Sequence, residues 1–259
     1  MTYSPPVNVL LKLGEQHLQQ KKWPDYTKIY GFTAEHIPAL IQMAIDQELN
    51  WAESDSLDVW APVHAWRTLG QLKAEEAIEP LLSVFHLMED SNWFMEDMPQ
   101  VFALIGPASI PKVVDFLANS ENAFYCRWTA ASILVKVGQT YPAVKAECVA
   151  GLEQQLERFA KNSRDLNGVL VSSLMDLEAQ ESAPLIERAF AAKWVDLSIA
   201  GDWIDVQYGL GLLSRAEVYE RRRHVDAEQL MTKASKLPAE PAKGFGSKLP
   251  KNKKKRTKS

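Results

Sequence analysis

One helix-turn-helix pattern is written more than once in this chain. The stretch WAPVHAWRTLGQLKAEEAIEPLLSVF (60–85) is followed by FMEDMPQVFALIGPASIPKVVDFL (94–117). Aligning Leu69-Gly70 with Ile105-Gly106, and Ala77-Ile78 with Ser109-Ile110, sets Leu81, Leu82 and Phe85 over Val113, Val114 and Leu117. Each copy has an apolar-periodic first helix, a turn containing glycine and a second helix with apolar residues at helical spacing. Neither copy can hide its apolar face alone, so copies must stack.

A third copy, AFYCRWTAASILVKVGQTYPAVKAECVAGLEQQLERF, turns at Val137-Gly138, and a fourth, DLNGVLVSSLMDLEAQESAPLIERAF, carries Glu178 where the others have glycine. Upstream, Thr33 is placed to cap AEHIPALIQMAIDQEL, whose Ile37, Leu40, Ile41, Ala44 and Ile45 form the stripe of a second helix. Taking Ile37, Ile78, Ile110, Val144 and Ala183 as equivalent gives spacings of 41, 32, 34 and 39 residues, lengths suited to paired-helix repeats. No useful strand alternation interrupts them. The expected class is all-α, a right-handed α-solenoid of stacked antiparallel helix pairs.

The flanks read differently. Residues 1–32 predict an N-terminal capping helix that starts at Pro5-Pro6, with Val7, Leu10, Leu11, Leu13 and Leu18 on one side, and an aromatic linker folded over the first helices. Residues 33–192 hold the repeats. Residues 193–236 predict a C-terminal cap and a polar helix opened by the capping box Ser214 to Glu217. From 237 to 259 proline, glycine and lysine dominate, and a disordered basic tail is expected.

Through CRWTAASILVKVG and LGQLKAEEAIEPLL, residues 33–192 resemble the HEAT family, in particular the small HEAT-like repeats of the phycobilisome-lyase type. The resemblance implies a fold far more than a function, because the repeated residues are packing residues. For some relatives it implies a bilin lyase or isomerase accessory, whose tetrapyrrole cleft would draw on Trp60, His64, Arg67, Tyr125, Arg127 and Trp128.

At 46% hydrophobic over 259 residues the chain can fill a substantial core. No run approaches the ~18 continuous apolar residues of a membrane helix, and MTYSPPVNVLLKLGEQ has neither a basic start nor a cleavage pattern. A soluble cytoplasmic protein, off the membrane, is the expectation. Cys126 and Cys148 are too few for a disulfide framework or a four-ligand zinc site, and read as buried free thiols. The sequence contains no nucleophile elbow, phosphate-cradling GxxxxGK[ST], dinucleotide glycine fingerprint or HExxH. The five histidines are scattered: His17, His36, His64, His86 and His224. No catalytic residue, metal or cofactor is assigned.

Three clusters remain as partner-binding candidates. Trp60, His64 and Arg67 share one helical face, combining an aromatic, an imidazole and a guanidinium; the alternative is packing between repeats with Arg67 paired to an acid. Trp93 with Glu96 and Asp97 forms an acidic-aromatic patch, and its adjacent acids diverge on a helix. Asp202, Trp203, Asp205 and Tyr208 read either as a binding edge or as the end cap that a stack requires. The predicted role is a non-enzymatic scaffold whose inner surface, lined by the second helices, takes a protein or peptide.

The net charge of −4 conceals a division. Residues 243–259 hold eight Lys or Arg and no acid, which leaves 21 basic against 33 acidic residues, or −12, for the rest. Lys248, Lys251, Lys253, Lys254, Lys255, Arg256 and Lys258 are the polyanion-binding candidates, for weak contact with RNA or DNA. A tail that only aids solubility fits the same composition.

Overall fold

The structure, a computed structural model, describes residues 2–15, 23–53 and 55–235, with side chains described to residue 225. His17, Leu18 and the candidate tail cations lie outside the described residues. Contacts divide the chain into two units that meet at Arg215 and Ala216. Among the described residues every regular element is helical. The first unit contains α1 (Tyr26–Tyr30), α2 (Ile37–Ala44), α3 (Gln47–Asn50), α4 (Ala61–Leu72), α5 (Ile78–Ser83), α6 (Asn92–Ile105) and α7 (Ile110–Ala118). It continues with α8 (Phe124–Thr140), α9 (Lys145–Leu156), α10 (Arg164–Asp176), α11 (Ala183–Ala191), α12 (Leu197–Ala200) and α13 (Trp203–Gly209). The last helix, α14 (Arg215–Ser235), runs into the second unit. The single region expected at 193–236 is thus divided: α12 and α13 pack on α10, whereas α14 is polar and exposed along its described side chains apart from half-buried Val218.

The helices pack in two series. The first helices pack in sequence, α4 on α6, α6 on α8, α8 on α10 and α10 on α12. The second helices do the same, α2 on α5, α5 on α7, α7 on α9, α9 on α11 and α11 on α13. A short 3-10 turn leads into each of the five repeat second helices: Ala34–His36, Glu75–Ala77, Pro107–Ser109, Pro142–Val144 and Gln180–Ser182. Proline sits in the first turn of α2, α7 and α11, where the missing N–H has no intrahelical partner to lose.

Burial repeats with the same period. Leu40, Leu81, Val113, Cys148 and Ile186, each the fourth residue of its second helix, are all 0% exposed. One turn on, Ala44, Phe85, Leu117 and Leu152 are buried as well. Each fully buried Leu, Ile or Val contributes roughly 1.5–3 kcal/mol. The register differs by one residue from the expectation in the third copy. Val144 ends its 3-10 turn and Lys145 begins α9, so Lys145 is the counterpart of Ile37, Ile78, Ile110 and Ala183. Residue type misled there, because the half-buried edge of the turn accepts either side chain while Cys148 and Leu152 hold the register.

The turns also depart from the expected glycine rule. Gly70 and Gly138 lie inside α4 and α8. A Cβ on Gly70 would stand 3.3 Å from the Val101 backbone, and one on Gly138 would stand 3.0 Å from Leu177 Cδ2, so these glycines serve close helix approach. Of the three glycines aligned in the sequence, Gly70, Gly106 and Gly138, only Gly106, at φ 110° and ψ −167°, occupies a turn conformation reserved for glycine. In the first copy the reversal falls on Lys73 (φ 54°), with Lys73 N–H donating to Gly70 O and Ala74 N–H to Leu69 O. The fourth copy repeats this with Glu178 (φ 51°), Glu178 N–H to Met175 O and Ala179 N–H to Leu174 O. Glu178 is therefore the counterpart of Lys73, not of a glycine.

At the N-terminal end, residues Val7–Lys12 form a 3-10 helix that buries Val7 and Leu10. Tyr26 of α1 is fully buried, as an aromatic linker folded over the first helices requires. Near the other end a buried amide network ties the α9–α10 connection to the cap. Gln155 Nε2 donates to Asn162 Oδ1 (2.6 Å), Asn162 Nδ2 to Asn167 Oδ1 (2.8 Å), and Asn167 Nδ2 to the carbonyls of Phe159 and Trp194 (2.9 and 2.7 Å).

Candidate interaction face

The face shared by Trp60, His64 and Arg67 points inward over most of its length. His64 is 0% and Arg67 1% exposed. The carbonyl of Gly14 can only accept, so His64 Nε2 carries the proton and donates to it (2.9 Å); Nδ1 then accepts from the Tyr26 hydroxyl (2.7 Å). Burial pushes the Tyr26 phenol up to about 12 against a smaller opposing pull from Arg67. Arg67 forms a bidentate pair with Asp97, Nε to Oδ2 at 2.6 Å and Nη2 to Oδ1 at 3.0 Å, and Trp66 Nε1 donates to the same carboxylate at 2.9 Å. The guanidinium lies 4.6 Å from the Trp23 ring centroid and 6.0 Å from that of Trp93. Trp60 meets Trp93 edge to face at 5.8 Å. This cluster joins the N-terminal segment, α4 and α6, and neither His64 nor Arg67 offers surface to a partner. Glu96, the neighbour of Asp97, is exposed.

Arg127 is also withdrawn from solvent. It is 9% exposed, its Nε donates to Leu117 O at the end of α7 (2.8 Å), and burial lowers its pKa. Tyr125 and Trp128 are outside, 58% and 40% exposed, stacked at 6.3 Å and 17° with Phe124 beside them. The six residues that a tetrapyrrole cleft would need are therefore split between core and surface.

In the C-terminal group the two acids serve their own helix. Asp202 Oδ1 accepts from the N–H groups of Ile204 and Asp205 (2.9 and 3.0 Å), and Asp205 Oδ2 accepts from Asp202 N–H (3.1 Å). Trp203 packs on Phe190 at 5.7 Å, and Tyr208 is 52% exposed.

A cavity of about 190 Å³ opens beside Trp128, between α6, α8, α10 and α12. Pro99, Val135, Val169 and Ile199 supply apolar walls; Ser132, Ser172, Ser173, Lys136, Gln139 and Asp176 supply the polar ones. It lies on the first helices, whereas the binding surface was expected on the second. A wider cavity on the second helices, about 320 Å³, is lined by Glu79 and Lys112, and those two charges already pair with each other. Across the first-helix cavity, Lys136 has no ion pair among the described residues. Asp176 is exposed at the cavity rim; its carboxylate accepts no hydrogen bond from the described residues, and partial desolvation raises its pKa.

Sequence reading singled out Trp128 and missed the rest of this cavity. The signal was present: Tyr125, Trp128, Ser132, Lys136 and Gln139 recur at helical spacing as one wet stripe on an otherwise buried α8. Ser172 and Asp176 stand one turn apart on α10. Among the described residues no group of three or more His, Cys, Asp or Glu is placed to hold a metal, and no single helix is long and apolar enough to cross a membrane. Comparison with family models, with curated proteins and with solved structures found no match to this chain.

Proposed function

We propose that this chain is a non-enzymatic interaction scaffold of the cytoplasm, a HEAT-like right-handed α-solenoid whose first-helix face takes a protein or peptide partner. The packing order supports the architecture, since each first helix meets the next first helix and each second helix the next second helix, as stacked repeats require. The observation that carries the function is the exposed Tyr125–Trp128 stack opening onto a cavity whose Lys136 and Asp176 stay apart. Aromatic anchors beside a pocket are where binding free energy concentrates. The basic tail adds weak, salt-sensitive contact with polyanions.

Selection of random display peptides on the immobilised full chain tests the scaffold role. Enriched peptides are expected to bind Trp128→Ala about tenfold more weakly and to be indifferent to Lys112→Ala on the second-helix face. Failure to enrich any peptide, or binding indifferent to Trp128, would overturn it.

A further inference from the structure

The first-helix cavity holds more chemical information than a general docking face. Lys136 on α8 and Asp176 on α10 carry opposite charges and line one small space, yet they form no ion pair. Lys136 is half-buried and Asp176 exposed at the rim, and the Gln139 carboxamide spans the two helices by donating to Asp176 O at 3.1 Å. A ligand satisfying both must offer an acceptor on one side and a donor on the other. A peptide amide does this along its two edges, and each bond to an ionised group is of the stronger, charge-assisted kind. Ser173, only 5% exposed, adds a hydroxyl with no protein partner among the described residues.

Size decides how much of a partner enters. An engineered apolar cavity of roughly 150 Å³ holds benzene, whereas sites for whole small molecules run from about 300 to 1,000 Å³. At about 190 Å³ the cavity admits one side chain of branched aliphatic size. Pro99, Val135, Val169 and Ile199 give that side chain an apolar surround, with Trp128 at its edge.

We propose that this cavity is a single-residue pocket for an extended peptide segment: it takes one branched apolar side chain, while the backbone N–H donates to Asp176 and the backbone carbonyl accepts from Lys136. The assignment rests on the scaffold reading above and narrows its partner to an internal peptide segment with an aliphatic anchor.

The test is a ¹⁵N–¹H NMR titration of the full chain with three probes: N-acetyl-leucine amide, N-acetyl-glycine amide and N-acetyl-leucine. The first is expected to shift the signals of Ser132, Lys136, Ser172 and Asp176 with a dissociation constant on the order of millimolar, the range open to a probe of about a dozen heavy atoms. The glycine probe, lacking the side chain, is expected to bind about tenfold more weakly. Asp176→Asn and Lys136→Met are each expected to weaken the leucine amide about tenfold, with the other signals unmoved. Three outcomes would overturn the proposal: no shift at these residues, equal binding of the glycine probe, or N-acetyl-leucine binding more tightly than its amide, which would mark an anion site. Probe binding without any Trp128-dependent display peptide would sink the scaffold reading alone. Trp128-dependent peptides without probe binding would sink the pocket alone.

Discussion

Replacing Asp97 by alanine removes three hydrogen bonds at once and leaves the Arg67 guanidinium buried without a counter-charge. Breaking a buried pair from one side costs about 3–5 kcal/mol. The orphaned Trp66 N–H places Asp97→Ala at the upper end, because an unsatisfied buried donor carries its own desolvation cost of roughly 1–3 kcal/mol. The Trp23 ring under the guanidinium is in contact with it already in the parent, so it cancels from the difference and does not offset the loss. For a folded unit of this length each kcal/mol moves Tm by about 2–4 °C, so a fall of roughly 10–20 °C is expected. Urea unfolding, followed by far-ultraviolet circular dichroism and by tryptophan fluorescence, should show the same loss as a lower midpoint at unchanged slope. Arg67→Met strands the carboxylate instead and should cost a similar amount. The double variant Arg67→Met/Asp97→Leu leaves only the Trp66 N–H unpaired, so it should lose about 1–3 kcal/mol, far less than the two single losses together. A Tm change below about 2 °C for Asp97→Ala, or a double variant as damaged as the sum of the singles, would refute the assignment of this cluster as a coupled clamp between the N-terminal segment, α4 and α6.

Further outcomes follow from packing, burial and charge. A Cβ on Gly151 of α9 would sit 2.5 Å from Val114 Cγ2 on α7, so Gly151→Ala should destabilise by about 1–3 kcal/mol and recover in a Val114→Ala background, read by thermal melts of the four chains. Burial pushes the Cys126 and Cys148 thiols up to about 11, so mass spectrometry after iodoacetamide at pH 8 should find neither alkylated in the folded chain and both alkylated in urea. These thiols and Tyr26 have folded-state values above their unfolded ones. Their contribution is therefore intact below about pH 9 and is lost as pH rises through about 11–12, so urea midpoints should fall over that window; midpoints constant to pH 12 would contradict it. Deleting residues 243–259 should abolish retention on RNA or DNA and leave the melting temperature nearly unchanged. With eight cations engaged on a single strand the limiting slope of log affinity against log salt is about −5.6, and retention that survives the deletion or ignores salt would place the polyanion site elsewhere.

The helical class and several helix starts were legible in one dimension. Apolar residues at helical spacing, together with prolines that only a first turn tolerates, identify Ile37, Ile78, Ile110 and Ala183 as the starts of α2, α5, α7 and α11. Local chemistry dictates those features, so they survive without knowledge of neighbours. What stayed hidden depends on partners distant in sequence. Gly70 and Gly138 look like turn glycines until Val101 and Leu177 are seen packed against them. For His64 and Arg67 the sequence leaves a binding face and internal packing with an acid both open; Gly14, Tyr26 and Asp97, arriving from other segments, decide for packing, because a buried charge is tolerable only once its counter-charge is in place. Lys136 and Asp176 lie 40 residues apart, and only the packing of α8 on α10 makes them two walls of one cavity. Periodicity along the chain determined which residues face inward; the packing of helices distant in sequence decided which polar groups are satisfied in the core and which stay at the surface.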